Sequence, residues 1–170
     1  APINTISPQV SIIVTNFNYA DYICDCLHSV SLQTYPRIEC VIVDDCSADS
    51  SVQRIEHFIP SNTPTIKLTI VKDDSTRGHY AAFRWGLQQT TGAFVGFLHA
   101  DDVLLPDFVS EHVRVHLSFP PVAFTSSNQY QIDSEGQLIG GIHPDLETQG
   151  TYKIVATISL RRSFWVWATT

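Results

Sequence analysis

The stretch Cys40-Val41-Ile42-Val43-Asp44-Asp45-Cys46-Ser47 decides the fold, because an apolar, mostly β-branched run leads straight into two adjacent aspartates. Such a run, closed by turn-forming residues, reads as a strand buried on both faces. Its carboxylates then lie at its carboxyl end. Upstream, Val10-Ser11-Ile12-Ile13-Val14 is a second run of the same kind, with Pro8 before it and Asn16 and Asn18 after it. Between the two, Ile23, Cys26, Leu27 and Val30 recur at helical spacing from Asp21, and Pro36 marks the end of that segment. Downstream, Val52, Ile55 and Ile59 share a helix face predicted to end at Pro60. Ile66, Leu68 and Ile70 alternate with Lys67, Thr69 and Val71 as a third strand, and Tyr80, Phe83 and Leu87 keep helical spacing up to Gly92. A fourth strand, Phe94-Val95-Gly96-Phe97-Leu98, runs into His99-Ala100-Asp101-Asp102.

Strands alternating with helices predict an α/β fold with a mostly parallel sheet and right-handed crossovers, whose ligand crevice lies at the carboxyl ends of the strands. Both aspartate pairs fall on that edge. After Pro106 a helix is expected to carry Val109, Val113 and Leu117. Beyond Pro121 the pattern changes to Val122-Ala123-Phe124-Thr125, then Tyr130-Gln131-Ile132, a turn at Asp133-Ser134-Glu135-Gly136, and Leu138-Ile139. This reads as an antiparallel hairpin appended to the parallel core. The segment from Tyr152 to Thr170 is apolar and aromatic and carries no stop signal. With no internal repeat, low-complexity tract or linker, residues 1–170 are expected to form a single domain.

The chain has 170 residues, 44% of them hydrophobic, which suits one buried core and is short for two. A formal net charge of -7 leaves no basic stripe to neutralise a phosphate backbone, so nucleic acid is not an expected partner. An anionic ligand would need a cation beside it. No apolar run reaches the roughly 18 residues of a membrane span, and Ala1-Pro2-Ile3-Asn4 lacks the pattern of a signal peptide. Cys24, Cys26, Cys40 and Cys46 lack paired C-x-x-C spacing and read as reduced thiols of a soluble cytosolic protein. The absence of methionine, an initiator included, suggests a piece of a longer protein.

Two like charges side by side raise one another's pKa unless a cation or a hydrogen-bond donor stabilises them. Two such pairs on one edge therefore call for a ligand. Mn2+ or Mg2+ fits, since hard cations are commonly held by one or two carboxylates and completed by substrate phosphates. The alternatives are local: a cap or turn before Pro106 for Asp101-Asp102, and, for Asp44-Asp45 with Ser47 and Asp49 behind it, the cap of the next helix. His112 and His116 are four apart on a predicted helix, but no third ligand follows and H-E-x-x-H is absent, so zinc is not expected. Neither G-x-G-x-x-G after the first strand nor a Walker motif is present.

Together Val10–Asn18, Ser29-Val30 with Gln33-Thr34-Tyr35, Glu39–Ser47, Gly78-His79-Tyr80-Ala81-Ala82, Leu98–Asp102 and Leu105-Pro106 resemble, in order and spacing, the nucleotide-binding portion of family 2 glycosyltransferases. The resemblance implies a GT-A, Rossmann-like three-layer sandwich, truncated at its C-terminal end, and transfer of a sugar from a nucleotide diphosphate donor, with a UDP-sugar favoured. By that resemblance the nucleotide is bound by Thr15, Phe17, Asn18, Asp44, Asp45, Arg77 and Asp101. Phe17 would stack on the base, Asp45 would hydrogen-bond the uracil edge, Asp101 would approach the ribose, and Arg77 with His79 would reach the diphosphate. The metal ligands would be Asp102 and Asp101. For Phe17 the alternative is simple core; for Arg77 and His79 it is a solvated surface pair.

The chain departs from the family pattern at two places: His99 stands where the metal motif usually begins with an aspartate, and Thr15 replaces the usual proline. Inverting members take their carboxylate base from the acceptor half, and none is assigned here; Asp145 and Glu147 are not promoted to that role. The expectation is thus a metal-dependent, inverting transferase of polysaccharide biosynthesis. This portion would bind the donor, while the acceptor, an unknown sugar, glycan or lipid-linked molecule, stays open. Its expected place is the cytoplasm, at the inner face of a membrane if its parent protein holds it there. Two rivals stand beside it: a non-catalytic nucleotide-sugar-binding module, and a receiver-like domain that gathers acidic strand ends around magnesium.

Overall fold

The computed structural model describes residues 7–62, 66–68, 76–118, 123–141, 156–159 and 167–169. Strand β1 (Val10–Asn16) is buried along its whole length and lies between β2 (Ile38–Asp44) and β4 (Phe94–His99), both parallel to it. β3 (Ile66–Leu68) adds in parallel outside β2. Among the described residues the sheet has the order β3-β2-β1-β4-β10-β6, where β6 is Phe124–Thr125 and β10 is Trp167–Thr169, and β10 runs antiparallel to both of its neighbours. The parallel part has the 3-2-1-4 order of a dinucleotide-binding half rather than the 2-1-3-4-5 order of a receiver-like domain, which removes that rival.

The alternation of β1 explains the layers. Val10, Ile12 and Val14 face helices α1 (Ile23–Ser31), α2 (Ser51–Asn62) and α4 (Phe108–Ser118), packing with Leu27, Ile55 and Phe108. Ile13 points the other way, with Val41, Val43 and Val95, toward α3 (His79–Leu87) and its Ala82. The expected three-layer α/β sandwich is therefore present. A second sheet, β5-β9-β7-β8, joins β5 (Asp102–Leu104), β9 (Ala156–Ser159), β7 (Asn128–Ile132) and β8 (Leu138–Gly141). Its β7 and β8 pair antiparallel around Gly136, as the predicted hairpin requires.

Three local expectations need correction. The buried face of α3 is Ala82 and Gly86, whereas Tyr80 is 78% and Leu87 43% exposed. The helix lies so close to the sheet that a Cβ at Gly86 would come within 2.4 Å of Ile13 Cγ2, so small residues sit beneath it and large ones are turned outward. On α4, Val109 and Val113 are buried as expected, but Leu117 is 61% exposed and His116 takes the inner position. Helical spacing fits either residue, and a hydrogen bond decides: Thr125 Oγ1 lies 2.6 Å from His112 Nδ1 and 3.1 Å from His116 Nε2. Pro60 does not end α2, which continues to Asn62. A proline there removes one N–H from the final turn without blocking it. The expected strand residues Thr69, Ile70 and Val71, the residues Pro121 and Val122, and Asp145 and Glu147 lie outside the described residues.

Several residues that carried the family resemblance are scaffolding. Gln33 Nε2 donates to Ser29 O at 3.1 Å and Leu105 O at 2.8 Å, and its Oε1 accepts from Val109 N at 3.0 Å. One side chain thus ties the end of α1 to the start of α4. Ser29 Oγ accepts from Leu104 N at 3.0 Å, which holds β5 against α1. These bonds fix the turn from which Asp101 and Asp102 project.

Candidate functional site

Because β2 and β4 flank β1 in register, the carboxyl ends of three strands coincide: Asn16 pairs with Asp44 and Thr15 with His99. Both aspartate pairs therefore meet at one edge, separated by the width of β1. The loop after β1 and the loop after β2 are stitched together. Asn18 N donates to Ser47 Oγ at 2.9 Å, Ala48 N donates to Asn18 Oδ1 at 2.8 Å, and Ala20 N donates to Asp49 Oδ2 at 2.9 Å. Asn18 and Cys46 take positive φ of 58° and 63°, conformations that Asn tolerates better than most residues and that Cys rarely adopts. Phe17, immediately before Asn18, is 44% exposed at the edge, which excludes the core alternative.

The four aspartates have separate environments. Asp44 is 2% exposed, and its carboxylate accepts from Asn16 Nδ2 at 2.6 Å, Ser47 N at 2.9 Å and Ser47 Oγ at 2.6 Å. It closes the turn after β2. The N-terminal end of α2 is met instead by Asp49, which accepts from Ser51 N at 2.9 Å and from Ser51 Oγ. Burial pushes the Asp49 carboxyl up, but hydrogen bonds from Ser51 and Ala20 outweigh it and hold the group below its usual range. Asp45 accepts from Arg77 N at 2.9 Å and Gly78 N at 2.8 Å, one on each oxygen. The carboxylate thereby docks the residues preceding α3, where Gly78 adopts φ 80°. Arg77 and His79 are both exposed beside it.

Asp101 keeps 7% exposure in the turn between β4 and β5, whereas Asp102, the first residue of β5, keeps none. Burial, followed by the nearby Cys40, Asp102 and Asp101, pushes the Cys26 thiol well above its usual range. Asp102 is thus in electrostatic reach of α1, beneath the surface of the site. His99 is held at the same edge, with Nδ1 3.0 Å from Thr15 Oγ1. Burial lowers its pKa, with Asp101 opposing and His79 adding to the shift, which favours the neutral ring. Among the described residues, Cys24, Cys26, Cys40 and Cys46 form no disulfide.

Among the described residues, no three or more His, Cys, Asp or Glu side chains gather into a group able to hold a metal. A cage made entirely of these residues is not what the edge offers. Asp101 with Asp102 behind it matches the other way of binding a hard divalent cation, in which one or two carboxylates are supplemented by substrate phosphates and water. The carboxyl edge of the sheet, an exposed aromatic ring, a carboxylate docked on backbone N–H groups and a second carboxylate pair thus fit an anionic, metal-associated nucleotide. Among the described residues, no helix is long and apolar enough to cross a membrane.

Comparison with known proteins agrees with this geometry. Residues 11–158 match the family described as glycosyl transferase family 2. An uncharacterized glycosyltransferase of Nostoc sp. is 37% identical over 107 residues, covering 63% of this chain and 32% of that protein. The mannosyltransferase PcManGT from Pyrobaculum calidifontis, solved with GDP-Man and Mn2+, superposes with a TM-score of 0.64 at 29% identity, over 78% of this chain and 38% of its own. TarS 1-349 of S. aureus, solved with UDP-GlcNAc, superposes with a TM-score of 0.65 over 83% of this chain and 38% of its own; at 22% identity this likeness concerns the fold. The sheet and its flanking helices are those of the GT-A fold. The chain spans about a third of the length of the curated relatives it matches first.

Proposed function

The chain belongs to glycosyl transferase family 2, and from that premise we propose that it is the donor-binding part of an inverting, metal-dependent glycosyltransferase that uses a nucleotide diphosphate sugar, a UDP-sugar by preference. The observation that carries the reading is the convergence of Phe17, Asp45 and Asp101 on one sheet edge. Phe17 stacks on the base, and Asp45 accepts from the base edge with the lone pairs left after its bonds to Arg77 and Gly78. Asn18 and Asp44 hold the loops around the nucleoside, and Arg77 and His79 flank the diphosphate.

Asp102 and Asp101 would hold the divalent ion, and Asp101, the more exposed of the pair, would also approach the ribose. Held there, Mn2+ or Mg2+ would supply Lewis-acid stabilisation of the departing nucleotide diphosphate. Residues 1–170 are read as one domain, and none of the described carboxylates is assigned the base that deprotonates the acceptor. The acceptor is a sugar, glycan or lipid-linked molecule. Four cysteines without a disulfide among the described residues suit a cytoplasmic setting, at the inner membrane face where the parent protein lies there.

Calorimetric titration of UDP with and without Mn2+ tests this. Wild type should bind UDP tightly only with the ion, and Asp101→Ala should abolish the metal dependence. Metal-independent binding that ignores this substitution would remove the metal from the reading. UDP-sugar turnover by residues 1–170 alone would overturn their role as a donor-binding part without its own base.

A further inference from the structure

The His99 ring is built into the ligand edge by a partner from another strand. Thr15 and His99 are register partners on β1 and β4, and Thr15 Oγ1 meets His99 Nδ1 at 3.0 Å with Thr15 only 5% exposed. The rings of Phe83 and His79 pack against the imidazole with centroids 5.3 Å and 5.6 Å away. Its backbone is pinned as well, since Ala100 N donates to Thr15 O at 3.0 Å and Cys26 Sγ donates to His99 O at 3.5 Å. A hydroxyl bonded to one ring nitrogen holds the orientation of the ring and so the direction in which the other nitrogen is presented. That direction is held two residues from Asp101.

We propose that Thr15 and His99 form one unit of the donor site, in which His99 contacts the ribose-diphosphate part of the nucleotide and Thr15 acts only by holding its ring. Thr15 is then a positioning residue, and the inference rests on the donor-binding function proposed above. UDP titration in the presence of Mn2+ on wild type, Thr15→Val, Thr15→Ser, His99→Ala and the double variant Thr15→Val/His99→Ala tests it. Loss of one neutral hydrogen bond predicts affinity weakened about three- to tenfold in Thr15→Val. Thr15→Ser should restore it, and Thr15→Val should add less than about twofold once His99 is alanine. Equal losses in both backgrounds, or a serine variant as weak as the valine one, would overturn the unit. A second measurement does not depend on the variants folding: ring 15N resonances of His99 in wild-type protein should move when UDP is added in the presence of saturating Mg2+. Ring signals that stay fixed while UDP binds would also overturn it. A wild type that binds no UDP defeats the donor reading and this inference with it, whereas binding without coupling defeats the inference alone.

Discussion

Asp45→Asn separates two jobs that one carboxylate could hold. In the structure each Asp45 oxygen accepts a backbone N–H, from Arg77 at 2.9 Å and Gly78 at 2.8 Å. Every carboxylate oxygen has a further lone pair, so a uracil N–H can still be accepted. Asparagine keeps one acceptor oxygen and turns an NH2 group toward a donor, which removes the charge and one docking bond. If Asp45 reads the base, the loss is one charge-assisted hydrogen bond, about 1.5–3 kcal/mol, or roughly ten- to hundredfold in affinity. That loss should appear in full with uridine or UMP, which lack the diphosphate. If Asp45 instead serves to dock the residues before α3, the penalty falls on the diphosphate through Arg77. UDP would then weaken while uridine did not. Calorimetry with uridine, UMP and UDP on wild type, Asp45→Asn and Arg77→Ala distinguishes these outcomes. Unchanged uridine affinity in Asp45→Asn would refute base reading.

Phe17→Ala should leave the melting temperature unchanged, because the ring is 44% exposed. It should cost about 1–3 kcal/mol of UDP binding, with Phe17→Tyr close to wild type, and unaltered calorimetric affinity would deny the stacking role. At the opposite end of the sheet, Glu39 accepts from Ser11 Oγ at 2.5 Å, Thr91 N at 2.5 Å, Thr91 Oγ1 at 3.0 Å and Gly92 N at 3.2 Å. Burial pushes its carboxyl up, but these bonds outweigh it and lower the pKa. A folded-state pKa below the unfolded one contributes stability above the unfolded value, near 4.3, that is lost as pH falls through the folded one. Glu39→Gln should therefore lower stability by about 1–3 kcal/mol at neutral pH, with the gap to wild type closing below about pH 4. A gap that is constant with pH in denaturant titrations would rule this out.

Much of this was legible locally. β-branched runs closed by Asn, Asp and Ser gave strand positions, apolar spacing gave the helices, and the aspartates at strand ends gave the edge. Periodicity failed where it was satisfied by more than one face. On α3 Tyr80, Phe83 and Leu87 have helical spacing, yet the close approach of Gly86 to Ile13 turns Tyr80 and Leu87 outward. On α4 the inward place goes to His116 because Thr125 can bond it. Gln33 stood in the motif that carried the resemblance, but nothing local revealed that it clamps Leu105 and Val109.

What the sequence by itself determined was the order of the parallel strands and their helices, the acidic carboxyl edge and the family, but not the strands β5, β9 and β10, because hydrophobic period, turn chemistry and motif spacing are properties of neighbouring residues. Only the tertiary structure decided how the polar groups are used. Asp44 closes its own turn, Asp45 docks backbone 32 residues away, Asp102 sinks beneath Asp101, and Thr15 finds His99 across 84 residues. Those pairings depend on strand register and on the depth at which helices pack. Neither exists until the sheet has formed.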